Sequence, residues 1–121
     1  MVGGLEISVF ERGDVVVVEL KGSADISATT MLESRLAGIL GSGRNWIVMD
    51  LSGLTFTSSV GLGSLIRTHI RCRDSGGGLA MVNPQPAVMK VFKTTRLNEL
   101  FELYGSVNEA LEGIKVKGSD G

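Results

Sequence analysis

Two short, almost purely apolar runs, Asn45–Leu51 (NWIVMDL) and Leu79–Val82 (LAMV), each follow a stretch in which apolar residues recur every three to four positions. Runs of strand length without polar alternation belong to strands buried on both faces. A helix between two such strands carries the chain back for parallel pairing, and that crossover is right-handed. No other feature of the chain narrows the fold as far: it demands a mostly parallel sheet covered by helices.

The remaining elements fit around this unit. Leu5, Ile7 and Val9 alternate with Glu6, Ser8 and Phe10, the turn sequence ERGD (Glu11–Asp14) follows, and Val15–Leu20 is valine-rich. The chain is therefore expected to open with a β-hairpin. Ala28, Leu32, Leu36, Ile39 and Leu40 mark a helix over 27–40, with Ser27 as its N-cap and Gly41 as its stop. Leu62, Leu65, Ile66, His69 and Ile70 mark a second helix that ends near DSGGG (Asp74–Gly78). Asn83 is expected to cap a third, with Pro84 near its first position and Val88, Val91 and Phe92 on one face. Glu99–Tyr104 reads as a short last strand, and SVNE (Ser106–Glu109) has the spacing of a capping box before Ala110, Leu111 and Ile114. The predicted order is β-β-α-β-α-β-α-β-α, in one domain over 1–121 with about 5–115 ordered and the final KGSDG disordered.

Composition excludes several functions. With 121 residues, 43% of them hydrophobic, the chain can build one continuous core. Twelve Lys and Arg against thirteen Asp and Glu, well interspersed, form no basic stripe for nucleic acid and no polybasic segment for a membrane. No apolar run approaches the roughly 20 residues that span a bilayer, and the first residues lack the basic and apolar regions of a secretory signal. A cytoplasmic protein is expected. The single cysteine, Cys72, sits in a helical stretch and is read as a packing residue.

The chemistry concentrates at LTFTSSVGLGSL (Leu54–Leu65), where a strand hands over to a helix through two serines and two glycines. A phosphate cradle would need a third glycine at dinucleotide-fingerprint spacing, or a Gly-Lys-Ser/Thr ending, and neither is present. A hydrolase nucleophile would need a glycine two residues before Ser59 and a base within reach. The only histidine, His69, lies ten residues further along the same helix, roughly 15 Å away at ~1.5 Å per residue. A serine cap of the helix is sound physics but explains only one serine, and leaves Gly61 and Gly63 in helical positions where each costs about 1 kcal/mol relative to alanine. Ser59 and Gly63 share a face, with Arg67 one turn on, so an exposed hydroxyl above a side-chain-free turn would make a docking surface. Phosphorylation of that hydroxyl would add about −1.5 to −2 charges at a helix N-terminus, where the dipole tolerates an anion.

The stretch DLSGLTFTSSVGLGSLI (Asp50–Ile66) resembles the signature of STAS-domain proteins, specifically the small anti-sigma factor antagonists. KGSADISATTMLESRL, with Gly22 and Asp25, is similar to that family's Gly-x-x-Asp loop and first helix, and residues 76–111 are similar to its C-terminal half. The resemblance implies an α/β STAS fold: a mostly parallel sheet with an opening β-hairpin and about four helices packed on it. It implies a non-enzymatic, cofactor-free regulator of sigma-factor-dependent transcription. Its partners would be an anti-sigma factor that is also a serine kinase, and a PP2C-type phosphatase. By position the phosphorylation site would be Ser59, while Ser58 occupies the position that many members fill with aspartate. Asp25, Ser58, Ser59, Gly61, Leu62 and Gly63 are the expected partner-binding residues, Asp25 having capping as its alternative. Two other readings stay open: a stand-alone STAS subunit regulating a transporter or signalling complex without phosphorylation, and a small anion- or nucleotide-binding domain.

Overall fold

A computed structural model describes residues 4–119, with side chains through residue 115. The elements are β1 (Leu5–Arg12), β2 (Val15–Ala24), α1 (Ile26–Gly41), β3 (Trp46–Thr57), α2 (Ser59–Asp74), β4 (Gly78–Val82), α3 (Pro86–Thr94), α4 (Leu97–Leu100), β5 (Glu102–Tyr104) and α5 (Val107–Ser119). The five strands lie in the sheet in chain order; β1 and β2 are antiparallel and every later pair is parallel. Right-handed crossovers that always step in the same direction must place their helices on one face. That face buries Val16, Val18, Leu20, Ile47, Met49, Leu51, Leu79 and Met81 against Leu32 and Leu36 of α1, Leu65 and Cys72 of α2, and Val88 and Phe92 of α3. The alternate strand residues, Val15, Val17, Val48, Ala80 and Val82, meet Ala110 and Ile114 of α5 on the other face. This is why the central runs carry no polar alternation. Full burial of residues such as Leu32 and Leu36 stabilises the fold by roughly 1.5–3 kcal/mol each.

The opening hairpin is as expected: Leu5 is buried, Ile7 and Val9 half-buried, and Glu6, Ser8 and Phe10 exposed. Several boundaries differ from expectation. β2 and β3 run on to Ala24 and Thr57, because Lys21, Gly22 and Gly53, which read as loop, pair across an irregular register. A Cβ on Gly53 would lie 3.1 Å from the Leu20 carbonyl and 3.3 Å from Lys21 Cα, so glycine lets the two backbones approach there. The cap of α1 is Asp25, not Ser27: the Asp25 carboxylate accepts from Ala28 N–H at 2.9 Å, and Ser27 donates its hydroxyl to that same carboxylate.

α3 starts at Pro86 rather than near Pro84, because Asn83 still donates its N–H to the Tyr104 carbonyl and takes a left-handed conformation (φ 50°). The last strand, expected over Glu99–Tyr104, is only Glu102–Tyr104; Glu99 and Leu100 belong instead to the one-turn helix α4, which lets Leu97 and Phe101, four apart, both bury. The Ser106 hydroxyl accepts from Glu109 N–H at 3.1 Å and so caps α5 as its spacing predicts. α5 continues through residues 117–119, the first part of the tail expected to be disordered; 120 and 121, like the expected flexible residues 1–3, lie outside the described residues.

Candidate functional site

β2 and β3 are parallel neighbours that end together, Ala24 opposite Thr57, and each launches a helix immediately. The N-termini of α1 and α2 therefore stand side by side at the carboxyl end of the parallel strands, where open α/β sheets present their functional loops. A single hydrogen bond ties the two junctions together, from Ser58 N–H to the Ala24 carbonyl at 2.9 Å. Asp25, the cap of α1, and Ser58, the cap of α2, thus line one shallow cleft of about 380 Å³ with Ile26, Ser27 and Phe56. Asp25 and Ser58, both named from the motif, thus stand together at one end of the sheet.

The two serines have different tasks. Ser58 is half-buried and extended, and its hydroxyl accepts from Gly61 N–H at 3.0 Å, satisfying one of the free donors of the first turn. Ser59 is the first residue of α2 and is exposed. Its hydroxyl therefore stands at the positive end of a sixteen-residue helix, within reach of a partner. Asp25 also makes hydrogen bonds within its own helix, and they, first the one from Ala28 N–H and then the one from Ser27, hold its carboxyl below the ordinary carboxylate value. It is charged at neutral pH.

The glycines require a correction. Gly61 was expected to leave room for a partner, yet it is buried, and a Cβ there would lie 2.7 Å from Thr57 Oγ1 and 3.4 Å from the Ala24 carbonyl. The space it leaves is filled from within, by the end of β3. Gly63 is half-buried, and its missing side chain leaves a place for the Arg67 guanidinium, 3.3 Å from where a Cβ would stand. Arg67 in turn forms an ion pair with Glu33 of α1. Leu62 is half-buried against the main core. Of the six expected contact residues, Ser59 is the one that is exposed.

Three exposed apolar residues were not anticipated as site residues: Ile26 (67% exposed) and Phe56 (51%), which line the cleft with Ser58, and Val60 (43%), the residue after Ser59 in α2. Isolated exposed apolar residues are ordinary, but three at the ends of adjoining elements make a patch. A signal was present in the sequence. Ile26 directly follows the aspartate of the loop, and Val60 falls off the stripe of its helix.

That stripe is itself displaced from expectation. Gly61, Ser64, Leu65, Thr68, His69 and Cys72 are buried, whereas Ile70 is half exposed. His69 is structural, as its lone position suggests: Nδ1 accepts from Leu79 N–H at 3.2 Å, and the ring stands edge-on to Phe101 at 5.5 Å. Burial, reinforced by the Arg73 charge, lowers its pKa below the ordinary histidine value. Cys72 is buried, and that burial pushes its thiol up to about 11. Among the described residues no group of three or more His, Cys, Asp or Glu could hold a metal ion, and no helix is long and apolar enough to cross a membrane.

A five-stranded α/β domain that presents a hydroxyl and exposed apolar residues at paired helix N-termini has the layout of a docking module. The STAS domain model matches residues 6–110, and the chain belongs to that family. It is 23% identical over 111 residues to the anti-sigma-F factor antagonist RsfB of Mycobacterium tuberculosis, which covers 92% of this chain and 90% of that one. The crystal structure of an anti-sigma factor antagonist from Mycobacterium paratuberculosis superposes with a TM-score of 0.84 at 27% identity, over 93% of this chain and 95% of that one. The Bacillus cell fate determinant SpoIIAA, solved in its phosphorylated form, shares the fold at a TM-score of 0.73 and 20% identity, over 92% and 99% of the two chains.

Proposed function

We infer that this protein is an anti-sigma factor antagonist: a cytoplasmic, non-enzymatic binding protein that sequesters an anti-sigma factor and is released from it by phosphorylation of Ser59. The observation that carries this reading is the division of labour between the serines. Ser58 spends its hydroxyl on the helix cap, while Ser59, one residue on, is exposed, next to Val60 in α2 and one residue from the cleft that Ile26 and Phe56 line. The similarity to proteins named as anti-sigma factor antagonists supports it.

In the unmodified state the partner covers the apolar rim, with Asp25 and Ser58 beside it. A phosphate on Ser59 brings about −1.5 to −2 charges into that contact. On the free protein those charges face the N-terminus of α2, which favours anions, so the fold is retained. At the interface they must be desolvated against apolar surface, and a penalty of only about 2.8 kcal/mol lowers affinity about a hundredfold. The anti-sigma factor is the kinase and binds the ATP, and a PP2C-type phosphatase resets the switch.

The test is transfer of labelled phosphate from ATP by the cognate anti-sigma kinase, mapped by mass spectrometry. One phosphate on Ser59, abolished in Ser59→Ala and retained in Ser58→Ala, is expected. Absence of transfer, or transfer that survives Ser59→Ala, removes the switch from this residue.

A further inference from the structure

The sheet has two edges. β5 is three residues long and offers a neighbouring strand little to pair with, whereas β1 presents eight residues, and among the described residues no strand pairs with its outer side. A long regular edge is a template for another strand unless its side chains forbid it. The polarity of this edge follows from two observations. The Gly4 carbonyl accepts from Ser23 N–H at 3.1 Å, and the β1–β2 register then runs without a break from Leu5 opposite Gly22 to Arg12 opposite Val15. Backbone groups alternate along an antiparallel ladder, so Glu6, Ser8, Phe10 and Arg12 turn theirs to β2, and Leu5, Ile7, Val9 and Glu11 turn theirs outward.

We propose that β1 pairs antiparallel with β1 of a second copy of this chain, about a two-fold axis through Val9 that sets Glu6 of each copy opposite Arg12 of the other. In this register Val9 meets its own counterpart as a hydrogen-bonded pair, and Ile7 meets Glu11, so the outward backbone groups satisfy one another. On the opposite face Phe10 stands across from Ser8 and diagonal to the second Phe10, a separation of roughly 7–8 Å that aromatic side chains bridge. Phe10 is 40% exposed although its strand partner Val17 is buried, and this contact would cover it.

Charge selects the register. Sliding one strand by two residues sets Glu6 against Phe10 in one direction and against Asp14 in the other, while a one-residue slip brings mismatched faces together. The register through Val9 alone gives two opposite-charge pairs. The Glu11 carboxylate is already engaged by Arg44 at 2.7 Å, whereas the Arg12 guanidinium lies over the Phe10 ring, 5.8 Å from its centroid, on the face that Glu6 shares, and donates to the Glu11 carbonyl at 3.0 Å, a contact that pairing would replace with Glu6. Two copies would form one continuous sheet of ten strands, five from each.

Sedimentation velocity from micromolar to millimolar protein tests this, with thermal melts as the control for folding. A concentration-dependent dimer is expected. Val9→Pro removes an outward N–H and trims a half-buried side chain, so it should yield a monomer whose thermal melt, though lowered, shows that the hairpin is kept. Glu6→Arg and Arg12→Glu should each raise the dimer dissociation constant about tenfold or more, and the double exchange should restore it. A chain that stays monomeric throughout overturns the proposal. So does a dimer indifferent to the charge reversals, or one that the double exchange fails to restore.

Discussion

Replacing each serine of the junction in turn separates the hydroxyl that caps α2 from the one proposed to carry the switch. Ser58→Ala removes the acceptor that holds Gly61 N–H at 3.0 Å in a half-buried first turn, and loss of such a cap costs about 1 kcal/mol. At about 2.1 cal/mol/K per residue, a chain of 121 residues has an unfolding entropy of about 0.25 kcal/mol/K, so Tm should fall by about 4 °C. Ser58→Asp restores an acceptor, adds a charge favourable to the helix N-terminus, and should melt within a degree or two of the parent. Ser59→Ala exchanges one exposed first-turn residue for another and should shift stability by less than about 0.5 kcal/mol. Thermal unfolding followed by circular dichroism, backed by urea titration, reads all three. If Ser59→Ala costs as much as Ser58→Ala, the assignment of the cap to Ser58 and of the free hydroxyl to Ser59 is wrong.

Two further outcomes follow from the buried groups. His69 has a folded pKa below its ordinary value of 6.5, so the unfolded chain binds the extra proton first. Stability should be level above about pH 7.5 and fall as pH drops through 6.5, and His69→Gln should flatten that slope in pH-dependent melts. A pH dependence of the opposite sign would contradict the burial argument. Gly61→Ala pushes a methyl against Thr57 and should lower stability by up to about 2 kcal/mol, whereas Gly63→Ala meets only the far end of the exposed Arg67 side chain and should leave the melt unchanged or raised. Equal effects at the two positions would mean that the end of β3 yields to the added methyl.

The sheet was legible because its signal is redundant. Val48 and Ala80 face α5 while Ile47, Met49, Leu79 and Met81 face the other helices, and a strand buried on both sides cannot hide in a sequence. What escaped was set by tertiary contacts. Lys21–Ala24 and Ser52–Thr57 contain glycine and hydroxyl residues that locally favour loops, and only their pairing with each other makes them strand. Glu99 and Leu100 turn with a helix rather than a strand because Leu97 and Phe101, four apart, then reach the same core.

At the site, the position of Ser59 could be read from the motif, but the reason for Gly61 could not. A glycine that clears space for a partner and one that clears space for the end of β3 look alike in sequence. Likewise Phe56 and Val60 could have been core residues, until the strand and helix phases turned them outward.

The most direct test of the central claim is a calorimetric titration of the cognate anti-sigma factor with two preparations of this protein, unmodified and fully phosphorylated on Ser59. The account predicts that the phosphorylated form melts within a few degrees of the unmodified one yet binds at least about tenfold more weakly. Equal affinities for the two forms would contradict it.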